Sequence, residues 1–292
     1  MFPSPLRLLL ASLALLGFAS ASSAAAPLEL EVYNPGQAAF FPVTSVLVSG
    51  EKDAILIDAQ FAKSQAAQVV EMIQRSGKNL TTVYISHGDP DYYFGLQTIT
   101  SAYPKAKVVA SAQTVAHIQE TMAAKLAYWG PKLGEDAPTQ VIVPKVLEAG
   151  RLDLEGRTLE VMGLDGPQPE RTFVWIPSLK AVVGGVVLSN NIHVWMADTQ
   201  TAKSHQDWLA TLANLEKLQP ATIVPGHYLP GEFTAAQSVR FTADYIRAFD
   251  AETAKAGDSA ALIGAMKARY PQLGDESSLE LGAKVAKGEM QW

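Results

Sequence analysis

Apolar and polar positions divide the chain into two unlike halves. Val43 to Val48 and Ala54 to Ile57 are aliphatic runs on either side of the polar stretch Ser49-Gly50-Glu51-Lys52, which predicts two strands joined by a turn. From Ser64 to Arg75 the spacing changes. Ala66, Val69, Val70 and Ile73 recur every three or four residues and predict a helix that Gly77 ends. Thr82 to Ile85 reads as a strand running straight into Ser86-His87-Gly88-Asp89-Pro90-Asp91. A helix, a strand at Lys107 to Ala110 and a longer helix from Gln113 to about Trp129 complete a half in which strands and helices alternate.

Residues 140 to 188 carry strand patterns, with turns at Glu148-Ala149-Gly150, Leu154-Glu155-Gly156 and Pro177-Ser178-Leu179-Lys180. A helix is expected from about Gln206 to Leu218, with Ser204 as its cap and Asp207 three residues on. Ala221 to Val224 is a strand that delivers Pro225-Gly226-His227, and the tail from Thr234 is helical with a break near Gly257-Asp258. Strands with helices on both outer faces predict an α/β domain. A four-layer αββα sandwich is a natural solution, although the periodicity alone does not force it.

The beginning of the chain follows another pattern. Arg7 precedes a largely apolar run from Leu8 to Ala19, and Ala19-Ser20-Ala21 and Ala24-Ala25-Ala26 offer small-residue cleavage sites. About a dozen apolar residues are short for a bilayer span and fit a secretory signal, with an uncleaved anchor as the alternative. The expected organisation is a signal peptide at 1–26, then one domain at 27–292 with a C-terminal helical extension from about residue 233. The expected address is periplasmic or secreted.

Composition narrows the chemistry. The formal net charge is -6, and losing Arg7 makes it more negative, which argues against nucleic acid or, after signal removal, an anionic membrane as partner. There are no cysteines, so disulfides, thiolate metal ligands and a cysteine nucleophile are excluded. Ser49-Gly50-Glu51-Lys52 matches a serine-nucleophile motif but falls in a turn, and no Lys-Thr-Gly follows. No nucleotide-binding glycine loop is present.

Of five histidines, His87 and His227 sit just past apolar strands that look central. Ligands collect at strand C-termini in α/β folds because several loops converge there. His87 is followed closely by Asp89 and Asp91, so a metal or acid–base site competes with a structural role. His117 within a helix and His205 at a helix start read as structural.

Four segments in order resemble the metallo-β-lactamase superfamily: Ile55-Leu56-Ile57-Asp58, Ile85-Ser86-His87-Gly88-Asp89-Pro90-Asp91-Tyr92, Val182-Val183-Gly184-Gly185-Val186 and Val224-Pro225-Gly226-His227. The resemblance covers nearly all of residues 30 to 230 and implies the αββα sandwich. It also implies a small-molecule substrate and a metal-dependent hydrolase of an ester, amide, lactone or thioester.

Its ligand pattern is incomplete. Asp89 and Tyr92 stand where the family's His-x-His-x-Asp-His segment has histidines. Pro167, in Gly166-Pro167-Gln168, and Val186 stand where the family has a further histidine and its bridging aspartate. Two ordinary zinc sites cannot be assembled. One mixed site from His87, Asp89, Asp91 and His227 remains, for one divalent metal: zinc first, manganese or iron as alternatives, none if the site is retired.

A bound metal would acidify a water so that hydroxide forms near neutral pH. The resemblance implies that Asp91 orients that nucleophile. Tyr92 could donate to an oxyanion, or simply fill the vacated histidine slot. His193 and Asp198 lie in a loop that borders the pocket in this fold and could supply replacement polar groups, as Asp165 could more weakly. Asp58 is expected to act structurally. Phe40 and Phe41 fall where the family carries a mobile loop, and with Tyr92, Tyr93, Trp129 and Trp195 could line a cleft. The alternative to an enzyme is an inactive periplasmic ligand-binding protein on the same fold. Oligomeric state is not legible.

Overall fold

A computed structural model describes residues 26–292, so the expected signal peptide lies, but for its last position, outside the described residues. One six-stranded sheet runs β1 (Glu29–Tyr33), β2 (Ser45–Ser49), β3 (Asp53–Ile57), β4 (Asn79–Ile85), β5 (Lys107–Ala110) and β6 (Lys145–Val146) in that spatial order. β1 to β3 pair antiparallel, and β3 to β6 pair parallel. The second half of the chain gives β7 (Arg151–Leu154), β8 (Arg157–Met162), β9 (Phe173–Ile176), β10 (Ala181–Val183), β11 (Ser189–Asn190), β12 (Thr222–Val224) and β13 (His227–Tyr228). A five-stranded sheet is ordered β12-β10-β9-β8-β7, while β11 and β13 pair by themselves.

Because strand side chains alternate between faces, each sheet feeds two cores. Leu47 and Leu56 point to one side and pack with α1 (Lys63–Ser76), α2 (Pro90–Tyr93), α3 (Leu96–Ala102) and α4 (Ala112–Leu133). Their neighbours Val46, Val48, Ile55 and Ile57 point the other way and meet Val174, Ile176 and Val183 of the second sheet. Phe173, Trp175 and Val182 face outward, against α5 (Ala202–Lys217), α6 (Ala235–Thr253), α7 (Ser259–Arg269) and α8 (Glu276–Ala286). Three apolar interfaces therefore separate four layers, and the fold is an αββα sandwich. No helix among the described residues is long and apolar enough to cross a membrane.

Some boundaries differ from expectation. The cap of α5 is Thr201, not Ser204. Ser204 is its reciprocal partner in the first turn, so the helix starts earlier. α4 continues past Trp129 through Pro131 to Leu133 before Gly134 ends it. β12 is an edge strand of its sheet rather than a central one. Ser49 is buried in β2, and Glu155 accepts the backbone N–H groups of Glu51, Lys52 and Asp53 at 2.7–2.8 Å, so that turn is a tie between hairpins.

Candidate active site

The site begins where β3, β4 and β12 end. Asp58, just past β3, is fully buried at φ +64°. Its carboxylate accepts the Ser86 N–H at 2.8 Å and the Ser86 hydroxyl at 2.7 Å, and burial pushes its carboxyl up to about 7. Ser86 Oγ in turn accepts the Gly185 N–H at 2.9 Å. Asp58 thereby fixes the backbone just before His87 and stays off the cleft. Gly226 allows the other strand end to approach: a Cβ there would lie 1.9 Å from the Gly185 carbonyl oxygen and 3.1 Å from the Tyr92 hydroxyl.

His87 leaves β4 buried. Its Nδ1 lies 3.2 Å from the Glu170 carbonyl oxygen, which can only accept, so Nδ1 carries the proton. Nε2 then faces Asp89 Oδ2 at 3.2 Å, and a proton or another cation must lie between them. Burial works against protonation of His87, but the Asp89 charge outweighs it and the imidazole is shifted upward. Asp89 also takes the Lys125 ammonium from α4. Burial alone would raise the Asp89 carboxyl, yet Lys125 and His87 hold it well below the usual range.

Asp198 completes this group. Donor atoms of His87, Asp89 and Asp198 all lie within 4.8 Å of one another, the one such cluster among the described residues. Its carboxyl is pushed up to about 6 by the protein crowded around it and by the like charge of Asp89. Asp198 also keeps open surface, so water tempers the first effect. Arg171 is buried nearby, its guanidinium 4.1 Å above the Trp208 ring, with Nε and Nη2 unpartnered among the described residues.

The other expected ligands form a separate unit. Asp91 and Tyr92 are successive residues of α2, about 100° apart around its axis. Both reach His227, Asp91 Oδ2 lying 2.7 Å from Nε2 and the Tyr92 hydroxyl 3.0 Å from Nδ1. Tyr92 is completely buried, which shifts its hydroxyl well upward and keeps it a donor. The proton order is therefore Tyr92 O–H to Nδ1, then Nε2–H to Asp91. The Tyr92 ring stands edge-on to both imidazoles, 5.4 Å from each.

Within the expected set the structure joins His87 to Asp89 and His227 to Asp91, with the Tyr92 ring against both imidazoles. The buried Tyr92 hydroxyl is engaged by His227 Nδ1. His193 is not brought to the site. Ile192 and Val194 line the cleft, and the intervening histidine faces the opposite way, its Nδ1 3.0 Å from the Tyr245 hydroxyl and its pKa lowered to about 4 by burial.

Asp165 and Pro167 line a different groove beside α5. Val186 lines the cleft, as its motif position implies. His205 pairs with Asp250 at 2.6 Å. His117 is nearer the chemistry than its helix position suggested: its Nε2 lies 3.2 Å from Lys125 Nζ. Lys125, Arg171 and Trp292 also reach this region, and none belongs to a recognisable sequence motif. The stripe His117, Thr121, Lys125 at four-residue spacing on α4 was the available signal for the first.

Asp89, Asp91, Lys125 and His227 line one cleft. Phe41, Trp129, Trp195, Trp208 and Trp292 supply aromatic walls. Phe41 packs edge-on to Trp129 and Trp195, at 5.3 and 5.8 Å between centroids, while Phe40 remains exposed.

Comparison with known proteins adds the lineage. Residues 38–227 match the sequence model of the metallo-beta-lactamase superfamily. The chain belongs to that superfamily. A 73-residue stretch is 33% identical to the uncharacterized protein YobT of Bacillus subtilis (strain 168), over 25% of this chain and 31% of that one. The chain thus spans about a third of the length of the curated relative it matches.

Among solved structures, a metallo-beta-lactamase from Pontibacter korlensis is similar with a TM-score of 0.54 and 17% identity, over 77% of this chain and 97% of that one. DIM-1 metallo-beta-lactamase is similar with a TM-score of 0.53 and 15% identity, over 77% and 99%. At such identities the likeness is one of fold. Membership of the superfamily suggests a metal-dependent hydrolase, because its members typically bind divalent metals and act on small molecules.

The residues present fit one metal ion. His87 offers Nε2 as a lone pair, its other nitrogen being tied to a carbonyl, and two carboxylates face it. Donors bound to one ion at about 2.0–2.2 Å lie at most about 4.4 Å apart, so these donors, within 4.8 Å of one another, would draw slightly inward around an ion. The second family position does not fit: both nitrogens of His227 are satisfied by Tyr92 and Asp91.

Proposed function

We propose that this superfamily member is an exported hydrolase of a small ester, amide, lactone or thioester, using a single divalent ion held by His87, Asp89 and Asp198. The observation that carries the reading is the His87–Asp89 contact, in which two acceptors face each other and call for a cation. His87, Asp89 and Asp198 would hold the ion, which would supply Lewis acidity and acidify a water toward neutral pH. Zinc suits the fold; the exchange of histidines for carboxylates makes manganese and iron competitors. Export rests on the apolar leader that precedes the domain, and a periplasmic or secreted address follows from it.

The chain's own residues perform the remaining steps. The cleft's aromatic walls hold the apolar part of the substrate and exclude water. Asp91, whose Oδ2 is tied to His227, has Oδ1 for the attacking water's proton. His227 holds that carboxylate in orientation, and Tyr92 fixes the tautomer of His227. Arg171, buried beside Asp198 and Asp89, offsets part of the carboxylate charge and keeps the acidic cluster compatible with burial.

A second reading, a ligand-binding protein without turnover, draws on Lys125, which already neutralises Asp89. Elemental analysis of purified protein, beside His87→Ala and Asp198→Asn, separates the two. The enzyme reading expects about one equivalent of metal in the parent, loss of it in both variants, and hydrolysis of a generic ester that a chelator abolishes and added metal restores. Metal-free parent protein with no chelator-sensitive turnover would leave the binding protein.

A further inference from the structure

The part of the chain beyond the family match reaches back to the metal donors. After β13, beyond the family match that ends at 227, the chain forms α6 to α8 on the outer face of the second sheet. They are stitched to the 191–198 loop: Ile192 bridges Gly274, the His193 N–H donates to the Gly274 carbonyl at 2.8 Å, and the Gly274 N–H donates to the Asn191 carbonyl at 3.1 Å. Trp292 then returns to the cleft, which it lines. Its indole Nε1–H donates to Asp198 Oδ1 at 2.6 Å, while the Trp195 Nε1–H donates to Oδ2, also at 2.6 Å. The Trp292 ring packs edge-on to Trp195 at 5.3 Å and to Tyr128 of α4 at 6.1 Å.

We propose that Trp292 is a positioning residue for the metal donor Asp198, making the C-terminal extension part of the active site. This rests on the reading of Asp198 as a ligand. Each carboxylate oxygen has two lone pairs, so one indole N–H per oxygen leaves both oxygens able to bind a cation while fixing the plane of the group. Indoles are also neutral. Lys125 pairs with Asp89; Trp195 and Trp292 orient Asp198 without adding a positive charge of their own. Hydrogen bonds that orient metal-binding carboxylates commonly change metal affinity by about 10–100-fold. The same ring, held between Trp195 and Tyr128, roofs the cleft and selects for apolar groups next to the scissile bond.

The test is competition between the expressed protein and a chromophoric chelator for Zn²⁺ alone, and separately for Mn²⁺. Trp292→Phe keeps a ring and removes the N–H; its affinity is expected to fall about tenfold with the fold unchanged by circular dichroism. Trp292→Ala is expected to show the same loss and, in addition, a higher KM for esters with bulky apolar groups than for acetate esters. Asp198→Asn serves as the control. If Asp198→Asn binds metal as the parent does, the ligand reading itself fails. If Asp198→Asn loses the metal while Trp292→Phe keeps parental affinity, the positioning role alone is overturned.

Discussion

The two halves of the site use similar residues to different ends. On one side Asp91, His227 and Tyr92 form a chain in which every hydrogen-bonding nitrogen has a proton or a partner. On the other, His87, Asp89 and Asp198 bring one imidazole and two carboxylates within 4.8 Å, and the contact between His87 and Asp89 lacks a cation unless the imidazole is protonated. A satisfied triad asks for nothing further. An acidic cluster whose lone pairs face one another is where a divalent ion gains most. The difference teaches that the two halves are not equally receptive: Tyr92 and Asp91 occupy both nitrogens of His227, while His87, Asp89 and Asp198 form the oxygen-rich cluster on which the proposed metal site rests.

The sharpest way to break this comparison is Asp91→Asn. The amide keeps a carbonyl for the His227 N–H but cannot take a proton from water. kcat is expected to fall by about 10²–10⁴-fold, the usual range for losing a general base, with metal content at the parental level. Measuring turnover and bound metal on the same samples decides the matter. Metal lost in proportion to activity would make Asp91 a ligand and merge the two halves.

Lys125→Met tests the charged side. The Asp89–Lys125 pair is largely enclosed, so removing the ammonium leaves a carboxylate without its strongest partner. Loss of one member of such a pair costs about 3–5 kcal/mol when fully buried, and about 2 kcal/mol is expected here because both side chains keep some contact with water, at 17–18% exposure. Urea denaturation of metal-free protein checks this. Zn²⁺ should then bind more tightly than in the parent and raise Tm further, since the ion inherits the charge that Lys125 neutralised. Weaker zinc binding would instead show that Lys125 holds Asp89 in its ligating position.

Much of this architecture is legible from the chain because it is local. Strand alternation fixes which face of β2, β3 and β9 meets which core, and three apolar interfaces follow. His87, Asp91 and His227 are legible for the same reason: each sits in a short motif at the end of an apolar strand. Asp198 and Trp195 are legible as candidates, but the second indole is not, since Trp292 lies 94 residues away and carries no motif. Lys125, 36 residues from Asp89, looks like any helix surface lysine until α4 packs over the His87 loop. His193 misled because the loop position was right and the side-chain direction wrong: a single step along an extended segment reverses the face, and Ile192 and Val194 take the cleft.

The smallest expected effect isolates the other half. Tyr92→Phe keeps the ring that contacts both imidazoles and deletes only the hydroxyl on His227 Nδ1. A buried acceptor without its donor costs about 1–3 kcal/mol, so Tm should fall by a few degrees. Without that donor His227 can place its proton on either nitrogen, and the fraction that still orients Asp91 drops. A decrease in kcat of about tenfold is expected, equivalent to ~1.4 kcal/mol, with KM and metal affinity unchanged. Because Tyr92 also touches the His87 ring, the decisive measurement is metal affinity. If it falls with kcat, the hydroxyl serves the acidic cluster as well, and the two halves are one cooperative unit. If kcat falls alone, the triad is a proton-handling device independent of the ion.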